Sequence, residues 1–181
     1  MEPNMKDALV IHRALLEWEA VHEIVRLPVA MGNADELPKA LGLPADRCLV
    51  TRVYSCEDAR GRPFLTGVLV PAGRRPSAEA VRLAAGARTV RPARADVVNA
   101  VTEYAAGLVC PLLLPDSVTL LIDHRLTDRL PADDVVYTAT GEASTALGIR
   151  AGTLFALCHA KPADLLSPPP ARAPNLDRAA T

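Results

Sequence analysis

The sequence predicts a single α/β domain in which one mixed central β-sheet is flanked by helices. Three observations carry this. The 181 residues suffice to bury one sizeable core but are too few for two typical domains. Segments with apolar residues three and four apart alternate with short β-branched runs, so helices and strands are interspersed along the chain. Several of those runs are continuously apolar and bounded by Pro, Asp or Gly, as strands covered on both faces are.

Between residues 6 and 19, Ala8, Ile11, Leu15 and Trp18 fall on one face of an amphipathic helix, with Trp18 expected to anchor it to the core. Residues 22–27 read as a short strand. Asn33 or Asp35 is placed to cap a brief helix that runs toward Leu41 and stops at Gly42. Two β-branched runs, 47–55 and 64–70, flank the turn Glu57-Asp58-Ala59-Arg60-Gly61-Arg62 and form a β-hairpin signature. Residues 77–85 follow Pro76, carry helix formers and end before Gly86, which predicts a second helix. Residues 96–104 repeat the pattern with Asp96 as N-cap. The apolar runs 108–114, 118–122 and 135–139 then read as buried strands. From Ser167 the chain has three consecutive prolines and then Ala, Arg and Pro, a composition that cannot bury enough surface to fold. The folded domain is therefore expected to span 1–166, with 167–181 a disordered tail.

Half of the residues are apolar but only 3% are aromatic, so the core must be built from Ala, Val and Leu. The longest apolar stretches, such as 105–114, are far shorter than the roughly 20 residues needed to cross a bilayer, and Met1-Glu2-Pro3 lacks the basic start of a signal peptide. A cytoplasmic location with no membrane partner is expected. A net charge of -1 excludes a strong whole-molecule field for nucleic acid but not a local basic groove. Arg74, Arg75, Arg82, Arg88, Arg91 and Arg94 cluster in a segment poor in acids, either as a solvated face or as a phosphate-contacting patch. Cys48, Cys56, Cys110 and Cys158 lack zinc-finger spacing and read as small buried hydrophobes, so no metal site is expected.

The densest candidate for chemistry is Gly107-Leu108-Val109-Cys110-Pro111, directly after a predicted helix. Gly107 lets backbone approach a ligand and Pro111 fixes the chain behind it, so the loop is either an amide-presenting cradle or a plain helix-to-strand turn. A second small-residue stretch, Thr140-Gly141-Glu142-Ala143-Ser144-Thr145, follows a strand and is also placed to line a pocket. Ser144 is in no Gly-x-Ser-x-Gly elbow, and His12, His22 and His124 lie in no motif. Asp123 at a strand end is either a cap or a functional carboxylate, and Cys110 has no basic neighbour in sequence to lower its pKa.

The order of these signals resembles a known family. Leu41-Gly42-Leu43 precedes the hairpin, and Thr102-Glu103-Tyr104-Ala105-Ala106 leads into the Gly107–Pro111 loop. Leu121-Ile122-Asp123 and Tyr137-Thr138-Ala139-Thr140-Gly141-Glu142 follow. The pattern resembles the YbaK/ProXp-type aminoacyl-tRNA trans-editing domains, the prolyl-tRNA synthetase-associated domain family, over residues 21–166. The resemblance implies a YbaK-like fold, no cofactor, no DNA, and hydrolytic deacylation of mischarged tRNA in trans. Its partners would be the tRNA 3′ end carrying an aminoacyl group and an aminoacyl-tRNA synthetase. It implies that Gly107 and Pro111 shape an oxyanion-binding loop that includes Leu108, Val109 and Cys110. Asp123, Thr140 and Gly141 would line the pocket. Members that deacylate carry a lysine on the first hairpin strand in a Lys-Thr/Ser-Leu sequence, where this chain reads Arg47-Cys48-Leu49-Val50-Thr51-Arg52. By register the lysine becomes Arg47 or Val50, with Arg52 a further substrate contact. An Arg still holds an oxygen but is not a tunable amine. The alternative is a catalytically impaired YbaK-like module that binds tRNA, nucleotide or a synthetase.

Overall fold

A computed structural model describes residues 5–166, so the tail expected for 167–181 lies outside the described residues. In chain order the elements are α1 (Ala8–Glu17), β1 (His22–Arg26), α2 (Leu37–Leu41), β2 (Cys48–Glu57), β3 (Pro63–Pro71), α3 (Ala78–Ala85) and β4 (Thr89–Pro92). They continue with α4 (Ala95–Thr102), β5 (Val118–Asp123), α5 (His124–Arg129), β6 (Val135–Ala139), β7 (Thr145–Arg150), α6 (Ala151–Cys158) and β8 (Lys161–Ala163). The strands form one mixed sheet in the order β1-β7-β6-β2-β3-β5-β8, with β4 also paired to β2.

Local chemistry sets most boundaries. Asp7 accepts from Val10 N and starts α1, whose Ile11 and Leu15 are fully buried. The tight turn Ala34–Glu36 is capped by Asn33, runs into α2 and ends at Gly42 with φ +65. Ser77 caps α3, and Gly86 closes it in the left-handed region. The hairpin pairs from Leu49↔Pro71 to Glu57↔Pro63.

Three expectations are corrected. Trp18 does not anchor α1: it is 44% exposed, because it caps a helix whose buried stripe ends at Leu15, and Glu19 at φ +55 turns the chain away. Asp96 is not an N-cap: α4 starts at Ala95 after Arg94, which makes no side-chain cap, and Asp96 sits in the first turn. Residues 108–114 form a buried loop rather than a strand. Pro111 has no amide hydrogen to give a ladder. The carbonyls of Leu112 and Leu113 are met instead by Tyr104 Oη at 2.6 Å and Lys6 Nζ at 2.5 Å. Continuous apolarity there reports burial and not strand geometry.

One feature of the sheet positions the site. On its edge away from β3, β2 pairs in parallel with β6 through Cys48 and Leu49 and antiparallel with β4 through Tyr54 to Glu57. Residues 50–52 lie between these two partners, since Val53 O still accepts from Ala93 N at 3.0 Å, and there the sheet is split. The Gly107 loop faces that gap.

Candidate functional site

Thr102 ends α4 by donating its hydroxyl to Val98 O at 2.7 Å and accepting from Tyr104 N at 3.1 Å. Asn99 Oδ1 accepts from Ala106 N, and Gly107 follows at φ +84. A Cβ on Gly107 would stand 3.3 Å from Asn33 Cβ, and Gly107 O accepts from Ala34 N at 2.9 Å. The backbones of the 31–36 and 105–111 loops are thereby stitched together at a position only glycine occupies without strain. Among the described residues the amides of Gly107 and Val109 donate no hydrogen bond. Unpaired donors of this kind are what a developing oxyanion needs.

A cavity of about 290 Å³ opens between this loop and the split edge of β2. Val50, Thr51 and Arg52 line it from β2, with Asn33, Asp35, Arg75, Gly107 and Val109 around them. Val50 forms an apolar wall and is 4% exposed. Thr51 carries a buried hydroxyl with no partner among the described residues. The Arg52 guanidinium donates bidentately to Asp35 at 3.0 and 2.8 Å, and its Nε donates to Arg74 O at 2.9 Å. Asp35 also accepts from Gly73 N at 2.8 Å. The Arg52 hydrogen bonds hold the Asp35 carboxyl below its usual range.

The other candidates lie away from the cavity lining. Arg47 pairs with Asp134 at 2.7 Å, beside the start of β6. Leu108, Cys110 and Pro111 are buried behind the loop. Burial pushes the Cys110 thiol up to about 12, which leaves it inert as a nucleophile at neutral pH. Asp123 is fully buried and spent as a cap: it accepts from Arg125 N at 3.1 Å and Leu166 N at 3.2 Å. Thr140 Oγ1 bonds Thr145 Oγ1 at 2.8 Å within the β6–β7 turn. A Cβ on Gly141, at φ +94, would collide with Lys6 O and stand 2.9 Å from Tyr104 Cδ1. Thr140 and Gly141 therefore support the loop from behind.

Sequence reasoning passed over that support. Lys6 Nζ donates to Thr102 O at 2.8 Å and to Leu113 O, and lies 4.9 Å from the centre of the Tyr104 ring. Burial lowers its pKa, with Glu103 opposing the shift. In the sequence Asn33 and Asp35 read only as helix caps, Thr51 carries no motif, and Arg75 is marked by the arginine cluster but not as part of this cavity. A larger concavity, about 730 Å³, lies between the far end of the hairpin and α4, where Phe64, Val90, Val97 and Val101 line it. It does not include the Gly107 loop.

The fold is shared with solved structures. The crystal structure of the hypothetical protein APE2540 superposes with a TM-score of 0.70 at 22% identity, covering 87% of this chain and 99% of that one. A protein described as a candidate trans-editing enzyme for prolyl tRNA synthetase gives a TM-score of 0.66 at 22% identity, covering 87% of this chain and 95% of that one. At these identities the likeness is one of fold. A search of curated proteins found no match. The family model described as "Aminoacyl-tRNA editing domain" matches residues 30–155, a span that runs from the Asn33 loop through the Gly107 loop to α6. The chain belongs to the aminoacyl-tRNA editing domain family, and its function is aminoacyl-tRNA editing.

Proposed function

We propose that the chain hydrolyses the ester bond of mischarged aminoacyl-tRNA in the cavity between β2 and the Gly107 loop. The observation that carries this is the pair of unspent amides, Gly107 and Val109, on a cavity of about 290 Å³. Water adds to the ester carbonyl, and the oxyanion that forms accepts from these amides. The bond to the ribose oxygen then breaks, releasing the free amino acid while the proton from water ends on the ribose oxygen. The 2′-hydroxyl of the substrate relays that proton, since no side chain lining the cavity is placed as a general base: the Asp35 carboxylate is held by Arg52. The aminoacyl side chain rests against Val50.

The partner is the aminoacylated 3′ end of tRNA in the cytoplasm. An aminoacyl-tRNA synthetase is the source of the mischarged substrate, and the likeness in fold to the candidate trans-editing enzyme for prolyl tRNA synthetase supports that pairing. Release of amino acid from tRNAs charged with Ala, Cys, Ser and Pro tests the reading; turnover of none of them sinks it.

One observation favours a second reading, a module that holds tRNA without hydrolysis. The arginines near the lysine position are engaged, Arg52 by Asp35 and Arg47 by Asp134, and Val50 offers no charge. Salt-dependent tRNA binding by a chain that deacylates nothing would select it.

A further inference from the structure

The arginine-rich segment 74–94 has no part in the ester chemistry, yet the fold brings it to the mouth of the cavity. Arg75 lines the cavity directly, and Pro92, Ala93 and Ala95, which flank Arg94, line it from the β4–α4 junction, whereas Arg91 lines the larger concavity of about 730 Å³. Arg74, Arg91 and Arg94 are exposed, and the Arg75 and Arg94 side chains are 72% and 79% exposed. Neither Arg74 nor Arg91 has a carboxylate within ion-pair distance among the described residues. Arg75 stands 3.7 Å from Asp35, whose two oxygens are already taken by Arg52. Arg94 pairs with Asp96 at 3.3 Å, both well exposed. A pair of that kind contributes at most about 1 kcal/mol and is readily exchanged for a stronger acceptor.

We propose that Arg74, Arg75, Arg91 and Arg94 form a phosphate track. It would hold the sugar–phosphate backbone leading to the aminoacylated 3′ end, so that the terminal ester falls on the Gly107 loop. This rests on the proposed function for the identity of the bound chain. The physical case is local: the molecule has a net charge of -1, so attraction to a polyanion must come from a patch, and this patch runs from the cavity at Arg75 to the larger concavity at Arg91. Guanidinium groups suit phosphate because their forked donors match its oxygens. Arg82 is excluded, because Glu79 binds it at 2.8 and 2.7 Å.

The test is equilibrium binding of uncharged tRNA across a salt series, a readout that needs no hydrolysis. Wild type is compared with Arg74→Gln/Arg75→Gln/Arg91→Gln/Arg94→Gln, with the matching four lysine substitutions, and with a control that changes the exposed Arg13, Arg26, Arg60 and Arg129 to Gln. Each phosphate contact contributes roughly 0.7–0.9 to the slope of log K against log salt, so the track variant should lose about 3 in slope and at least tenfold in affinity at low salt. The lysine set and the control should keep most of both. Equal losses in the track variant and the control would reduce the effect to overall charge and overturn the proposal. An unchanged slope, or no binding by the wild type, would also overturn it. Should the four-fold variant have a lowered melting temperature, the pairs Arg74/Arg75 and Arg91/Arg94 are changed separately, each expected to remove about half the slope loss. Ester turnover is scored on its own: a wild type that binds with the expected slope but never deacylates leaves the track standing and removes the hydrolytic reading.

Discussion

Gly107 concentrates the residue-scale argument. Its φ of +84 costs an L side chain about 1–2 kcal/mol, and a Cβ there would press on Asn33. Gly107→Val should lower deacylation about 100-fold or more, because loss of one oxyanion donor alone costs that much. The melting temperature should fall by only a few degrees; collapse of the fold would make Gly107 a structural turn residue. Arg47 and Val50 divide the lysine question. Arg47→Ala breaks a pair with Asp134 in which both side chains are about one-third exposed, so stability should drop by about 1 kcal/mol or less and turnover should hold within about twofold. Val50→Lys places an amine on the cavity wall and should raise turnover while costing roughly 2–3 kcal/mol in a urea melt; if Arg47→Ala abolishes turnover instead, the Arg47 register is right. Asp35 supplies the pH dependence. Its folded-state carboxyl is held below the usual 3.8 by Arg52, so its contribution is fully present above about pH 4 and is lost as pH falls through the depressed value. Asp35→Asn should flatten that acid limb in pH-dependent melts. At neutral pH it should destabilise by about 3 kcal/mol, since Arg52, whose side chain is 9% exposed, loses its counter-charge.

At the scale of elements, what could be read from sequence depended on whether local signals matched the tertiary role. The hairpin, α1, α3, β5 and β6 were legible because caps, turns and apolar periods agree there. β7 was not, because Gly148 interrupts its pattern; a Cβ at that position would stand 2.9 Å from both Glu23 Cγ and Tyr137 Cε1. α6 escaped notice for two reasons: its N-cap Arg150 makes no capping bond, and its sequence is apolar on all sides, leaving no stripe to read. β4 has four residues and ends in proline. The site shows the same division. Gly107 and its loop stand out by composition, whereas the gap in β2 arises from two partner strands taking different stretches of one edge. Such a gap has no local signature. Asp123, a fully satisfied cap, shows why a carboxylate at a strand end cannot be assigned a role before its partners are known.

For the whole molecule, the core closes on Leu165 and Leu166, both buried within the described residues. We therefore propose that the folding unit ends at 166 and expect a chain cut after Leu166 to melt within about 3 °C of the full chain, a shift worth less than 1 kcal/mol; a larger drop would show that 167–181 pack. Among the described residues no helix is long and apolar enough to cross a membrane. The brace under the Gly107 loop joins distant parts of the sequence. Lys6 reaches partners 96 and 107 positions away, and Ala8 N donates to Glu142 across 134. Contacts of that span form late, because loop closure must be paid for before they return anything. During ribosomal synthesis the loop therefore emerges before the β6–β7 turn that completes its support. The nascent chain should acquire its amide cradle only after residue 142 has left the exit tunnel.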